Sequence, residues 1–194
     1  MKHRASTEKQ VTDRETAAIL DLLQKTLAKN IPGDVVEFGC YRGDTSVELQ
    51  RNSDRKLWLY DSFAGLPEKS PEDSSAAGDQ FRQGELLVTK REVIEKFKKC
   101  GLKVPKIKKA FFSDLDPVQD LPEKIAFAFL DGDLYQSIRD SFTLVSPRMS
   151  PGGVIIVHDY NNPELPGVAR AVDEFCQKNH HQPLVRNTLA ILEV

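Results

Sequence analysis

Cysteine is scarce: Cys40, Cys100 and Cys176 are the only three, and no two of them form a CxxC pair. That count and spacing exclude a disulfide framework and a zinc cluster, and fit a reducing cytosol. A basic excess is missing too. The chain sets 27 Lys and Arg against 29 Asp and Glu, a net charge of −2, which argues against a phosphate backbone as partner. The local run Lys96, Lys98, Lys99, Lys103, Lys106, Lys108 and Lys109 reads as the solvated face of a helix and its exit. No apolar run approaches the roughly 18 residues of a membrane span. Met1 to Gln10 is polar and has no apolar h-region, so no leader is read there. The expectation is a soluble cytoplasmic protein with neither a nucleic-acid nor a membrane partner. The third glycine of a GxGxxG turn is also absent, because only Gly39 and Gly43 follow Glu37; NAD is therefore disfavoured.

What is present is a series of apolar runs that stop at acids. Val35-Val36 leads to Glu37 and the turn Phe38 to Gly43, Leu57 to Tyr60 ends at Asp61, and Ile125 to Leu130 ends at Asp131. Short apolar runs separated by helix-length segments describe buried parallel strands whose carboxyl ends share a crevice. With 40% hydrophobic and 29% charged residues in 194 positions, one substantial core is expected, and so a single domain over 1–194.

Residues 1–33 read as an amino-terminal helical segment, its helix between Thr12 and Asn30 ended by Ile31-Pro32-Gly33. Strands are expected at Asp34 to Phe38, Lys56 to Tyr60, Val104 to Phe112, Ile125 to Leu130 and Gly153 to Val157, with a terminal pair in Pro183 to Val194. Helices are expected at Thr45 to Arg51, Glu85 to Cys100 with Leu86 and Leu87 facing the core, Gln136 to Val145, and Gly167 to Asn179. Residues 65–84, rich in Pro, Ser, Gly and charge, form a polar insertion that is either a lid or a disordered surface loop. The alternation makes a doubly wound, mostly parallel α/β sheet.

The glycine turn opening a helix permits close backbone approach and gives an anionic carboxylate a set of N–H donors. Asp61, about twenty residues on, stands where an acid accepts ribose hydroxyls. Asp131 and Asp159 end strands on one sheet edge, and two such carboxylates are most simply reconciled by a hard divalent cation, Mg²⁺ first.

At this point Glu37-Phe38-Gly39-Cys40-Tyr41-Arg42-Gly43-Asp44-Thr45-Ser46 resembles the first motif of the class I S-adenosylmethionine-dependent methyltransferases. Tyr60 to Pro67, Leu130-Asp131-Gly132-Asp133-Leu134-Tyr135 and His158-Asp159-Tyr160 resemble the macrocin O-methyltransferase family, over roughly 34–175. The resemblance implies a Rossmann-like class I fold and an S-adenosylmethionine bed made of Glu37, Gly39, Gly43, Thr45, Asp61, Ser62, Ser113, Asp114 and Asp131. Gly39 and Gly43 would line the methionine portion, Thr45 its carboxylate, Asp61 the ribose, and Ser113 and Asp114 the adenine. Phe63 is either an adenine contact or a core residue.

The family binds its metal with three acids, the first corresponding to Asp131 and the others to an adjacent pair that here reads His158-Asp159. Histidine at 158 is a departure that shifts preference toward Mn²⁺, Fe²⁺ or Zn²⁺, or leaves its place to water. Catechol-type relatives carry a lysine base where this chain has Leu134. By resemblance Asp131 is then the base, with Asp133 as an alternative, and His180 and His181 as solvent-exposed bystanders. The implied activity is a metal-dependent O-methyltransferase acting on a small-molecule hydroxyl, a natural-product sugar before a catechol-like phenol. An S-adenosylmethionine-binding protein without transferase activity is the alternative from another class. A homo-oligomer is compatible with all of these readings.

Overall fold

Residues 10–194 are described by a computed structural model, and the part of the amino-terminal segment before Gln10 lies outside them. The elements run α1 (Asp13–Ala28), β1 (Asp34–Phe38), α2 (Asp44–Arg51), β2 (Leu57–Asp61), α3 (Lys90–Lys99), β3 (Lys106–Lys109) and β4 (Ile125–Leu130). They continue through α4 (Tyr135–Val145), β5 (Met149–Val157), α5 (Pro166–Asn179), β6 (Leu184–Arg186) and β7 (Leu189–Glu193). One seven-stranded sheet results, in the order β3-β2-β1-β4-β5-β7-β6. β1 to β5 are mutually parallel, and β7 runs antiparallel to both β5 and β6. This is the expected doubly wound α/β architecture. No helix among the described residues is long and apolar enough to cross a membrane.

Side chains alternate across a strand, and that alternation divides the core in two. Val36, Phe38, Ala128, Leu130, Ile155 and Val157 pack under α4 and α5, with Ile138, Phe142, Val168 and Val172. Val35, Phe127, Phe129, Val154 and Ile156 face the other way and pack under α1, α2 and α3, with Ile19, Leu23, Val47, Val93 and Phe97. β4, apolar at all six positions and buried throughout, separates the two. Because the strand order reverses between β1 and β4, their carboxyl ends flank an open crevice.

Two expectations need correction, and one open alternative is decided. The segment 85–100 becomes helical only at Lys90, where Thr89 and Glu92 close a capping box. Upstream, Leu86 adopts φ 58° and Leu87 is 63% exposed rather than turned toward the core. The third strand is only Lys106–Lys109, an edge strand with just Ile107 partly buried. Its lysines blunt that edge against pairing, and the chain then turns through Phe112–Asp114. Phe63, with φ 47°, is 5% exposed inside the core under α1 to α3, which is the core reading and not the adenine one.

The basic run finds ordinary partners: Lys96 on Asp44, Lys108 on Asp120 and Lys106 over the Trp58 ring. The insertion 65–84 has a fixed anchor. Asp73, 1% exposed, accepts the Tyr135 N–H at 2.7 Å and the Ser70 N–H and hydroxyl at 3.0 and 2.8 Å. Tyr135 begins α4, whose preceding residue Leu134 offers no side-chain cap, so Asp73 caps that helix from a distant segment. Asp73→Ala is therefore expected to cost about 1–3 kcal/mol, measurable as a lower midpoint in thermal unfolding.

Candidate active site

The crevice at the β1–β4 switch holds a cavity of about 270 Å³, lined among others by Gly39, Tyr41, Asp61, Ser62, Phe112, Ser113, Asp131, Asp133, His158 and Asp159. A smaller hollow of about 30 Å³ adjoins it through Gly39, Tyr41 and Asp131 and is lined by Glu37, Cys40, Asp44 and Thr45. Nearly every strand-end residue singled out in the sequence is thus brought to one place. Gly43 lines neither, serving as the left-handed N-cap of α2 at φ 74°. Asp114 also lies outside the lining and accepts the Ser113 hydroxyl at 3.4 Å.

Gly39 adopts φ 84°, and a Cβ there would fall 1.9 Å from the Asp131 carbonyl oxygen. Only glycine fits between the two strand ends. Asp61 holds the same turn from the β2 side. Its Oδ2 accepts the Cys40 and Tyr41 N–H groups, both at 3.0 Å, and its Oδ1 accepts the Phe63 N–H at 2.8 Å. A carboxylate has about four lone-pair sites, so Asp61 retains one for a ligand hydroxyl after clamping the turn. The Ser62 hydroxyl is spent locally, donating to the Gly65 carbonyl at 2.8 Å.

Glu37 is 1% exposed, and its Oε2 and the nearby Ser46 Oγ are buried without a hydrogen-bond partner. Burial pushes its carboxyl up to about 8 against the opposing pull of the adjacent Ser46 hydroxyl, with Asp131 and Asp61 adding repulsion. An orphaned acid lining the hollow fits a ligand that brings a donor or a positive charge, as an amino-acid-bearing cofactor does. A folded-state value above the unfolded 4.5 means the folded protein binds the extra proton. Its stabilising contribution is full below about pH 4.5 and is lost as pH rises through about 8. The ligand-free protein should then lose on the order of 2 kcal/mol between pH 5 and 7 from this group, and Glu37→Gln should flatten that slope in urea unfolding.

Across the crevice, His158 is 4% exposed and surrounded by carboxylates. Its Nδ1 lies 2.8 Å from Asp131 Oδ1 and 3.0 Å from Asp159 Oδ2, and its Nε2 lies 3.7 Å from Glu15 Oε2. Burial alone would lower the imidazole's pKa, but Asp131, Asp159 and Glu15 outweigh it and hold the ring well above its usual value. Burial raises the Asp131 carboxyl, against the opposing attraction of His158. Burial, then Asp131 and Asp159, hold Asp133 well above the carboxylate range. Asp133 and Asp159 sit at φ 60° and 61°, a left-handed conformation that costs energy outside glycine.

Asp131, His158 and Asp159 each offer one ligand atom within 4.8 Å of the others. Two carboxylates with an imidazole nitrogen fit a divalent ion at the hard-to-borderline end. Sequence reasoning missed Glu15 and Asp73. Each is marked only by a helix-start pattern, Glu15 by Thr12-Asp13-Arg14-Glu15 and Asp73 by Ser70-Pro71-Glu72-Asp73, which signals a cap and not a reach across the fold. His181 stacks on Phe175, and His180 caps α5, both away from the crevice.

Residues 8–188 match the family described as macrocin-O-methyltransferase (TylF). Among curated relatives, the tetracenomycin 4'-O-methyltransferase 8-demethyl-8-(2,3-dimethoxy-alpha-L-rhamnosyl)-tetracenomycin-C 4'-O-methyltransferase of Streptomyces olivaceus is 34% identical over 150 residues, covering 71% of this chain and 57% of that protein. Demethyldecarbamoylnovobiocin O-methyltransferase of Streptomyces niveus is 32% identical over 174 residues, covering 82% and 64%. The chain thus spans less than two thirds of the length of either. The solved O-methyltransferase NovP superposes with a TM-score of 0.82 at 27% identity, over 97% of this chain and 82% of that one. The chain belongs to the macrocin O-methyltransferase family.

Proposed function

We propose that this protein is an S-adenosylmethionine- and divalent-metal-dependent O-methyltransferase acting on a small-molecule hydroxyl, in the first instance one on a rhamnose-like sugar of a natural product. The observation that carries the reading is Asp131, which lines both hollows at once and contacts His158. Family membership and the sugar and antibiotic acceptors in the relatives' names support it. Three free cysteines fit a cytoplasmic location.

When bound, S-adenosylmethionine supplies an electrophilic sulfonium methyl, and a divalent cation supplies Lewis acidity that eases loss of the acceptor's hydroxyl proton. The chain's own residues have separable tasks. Backbone at Gly39 and Tyr41, clamped by Asp61, receives the cofactor, with Thr45 and the unpaired Glu37 Oε2 at its amino-acid end. The remaining acceptor site of Asp61 takes a ribose hydroxyl, and Ser62 and Ser113 border the adenine side, with Asp114 behind Ser113. Asp131, His158 and Asp159 would hold the cation. Asp131 also takes the acceptor's proton, since it is the carboxylate common to both hollows. Gly65, Leu66, Pro67 and Glu68 of the insertion wall the cavity and act as the lid that excludes water.

Calorimetric titration of S-adenosylhomocysteine with and without Mg²⁺, followed by methyl transfer to rhamnosylated acceptors, tests this. Micromolar binding with metal-stimulated transfer is the expected result. Absence of binding in every condition would remove the methyltransferase reading, and binding without transfer to any sugar or phenol would favour a cofactor-binding protein.

A further inference from the structure

Asp140 lines the main cavity and has no part in the metal or proton chemistry described above. It lies on the second turn of α4, partly buried, and its Oδ1 accepts the Gln136 side-chain amide at 2.7 Å. Oδ2 takes no hydrogen bond from the described residues. Burial raises the carboxyl, against the opposing pull of Gln136 and Arg139, so a donor brought by a ligand would relieve it.

The packing of α4 decides what this acid faces. A Cβ on Gly132 would fall 2.9 Å from Ser137 Cβ and 3.1 Å from Phe112 Cε2. The missing side chain therefore lets the first turn of α4 close on the turn Phe112–Asp114. Asp73 fixes that end of α4 through the Tyr135 N–H. Phe112, Ser113 and Asp140 thus build one wall of the cavity. Asp114, the acid next to Ser113, lies outside the lining and is turned to the Ser113 hydroxyl. Glu68, which the insertion contributes to the lining, is exposed. A wall that combines an aromatic residue with a held carboxylate suits a flat heteroaromatic ring bearing an amino donor.

We propose that Asp140, steadied by Gln136, is the specificity residue that reads the 6-amino group of the cofactor's adenine, a task the family resemblance gives to Asp114. The proposal rests on the S-adenosylmethionine-dependent reading above. Adenine presents a donor at its 6-position and an acceptor at N1, whereas hypoxanthine presents an acceptor at O6 and a donor at N1. An ionised carboxylate only accepts, so it favours the first base and repels the carbonyl of the second. Gln136, one helical turn before Asp140, keeps Oδ1 engaged and leaves Oδ2 for the base. Hydrogen bonding to one edge of a base whose face rests on apolar or aromatic side chains is an established way of reading it.

The test is calorimetry of the full chain with S-adenosylhomocysteine and its deaminated counterpart, S-inosylhomocysteine, in wild type, Asp140→Asn and Asp140→Ser. Wild type should bind the adenine form roughly 10–100-fold more tightly, and each variant should narrow that preference to within about threefold. Asp140→Ser covers the case in which the amide variant fails to fold. A structural role for Asp140 would weaken both ligands alike, so an unchanged ratio in either folded variant would overturn the proposal. Loss of the preference in Asp114→Asn and not in the Asp140 variants would return the task to Asp114 and overturn it as well. Binding of both ligands by wild type without preference would overturn the proposal alone and leave the cofactor reading standing. No binding of S-adenosylhomocysteine by wild type would overturn the two together.

Discussion

Asp131→Asn should lower kcat by about 10²–10⁴ while S-adenosylhomocysteine affinity stays within about threefold of wild type. The side chains are nearly isosteric, so the change removes charge and basicity without opening a cavity. The backbone at 131 is fixed independently of the side chain, its N–H donating to the Phe38 carbonyl at 2.7 Å. The amide can keep a contact to His158, but it can neither accept the acceptor's proton nor serve as an anionic ligand. Steady-state kinetics beside calorimetry separates the two effects. Asp133→Asn is the companion variant, because Asp133 also lines the cavity and is pushed toward its protonated form by burial and by its neighbours Asp131 and Asp159. Wild-type turnover in Asp131→Asn with loss in Asp133→Asn would transfer the base role to Asp133.

Asp61→Ala should destabilise the protein by about 3 kcal/mol or more and abolish cofactor binding together with it. Charge-assisted hydrogen bonds contribute roughly 1.5–3 kcal/mol each, and Asp61 accepts three N–H groups, two of them from the glycine turn. Their sum is not additive, but leaving those donors unpaired costs more than losing one ribose contact. At this chain length each kcal/mol lowers the melting temperature by roughly 2–4 °C, so a fall near 10 °C is expected. A variant with wild-type melting temperature and weakened cofactor would show Asp61 to be a ligand contact and not a clamp.

β4 was legible to the residue, because six consecutive apolar positions between a lysine and an acid admit no other element. β1 and the gathering of Asp61, Asp131 and Asp159 at one edge followed from the same logic, since parallel strands joined by helices must end on a common side. β3 was overextended because Lys-Ile-Lys-Lys carries almost no apolar signal and owes its strand conformation to pairing with β2. The start of α3 was misplaced because Leu86 and Leu87 continue the helical spacing, while the Thr89 cap overrides it. Glu15 and Asp73 were invisible for a different reason. Each closes a local capping box, but the partners that matter lie in distant segments, Thr188 and His158 for Glu15 and Tyr135 for Asp73, and no local pattern encodes a tertiary contact.

The contact between Gly39 and the Asp131 carbonyl also bears on how this site can change over generations. Even a methyl group at position 39 would collide with the strand end that bears Asp131. The glycine turn and the Asp131 strand end therefore behave as one inherited unit that tolerates no independent drift. New acceptors have to be accommodated elsewhere, in the walls built by residues 65–68 and by Phe112 and Leu86. Diversification should be concentrated there, with the floor of the crevice unaltered.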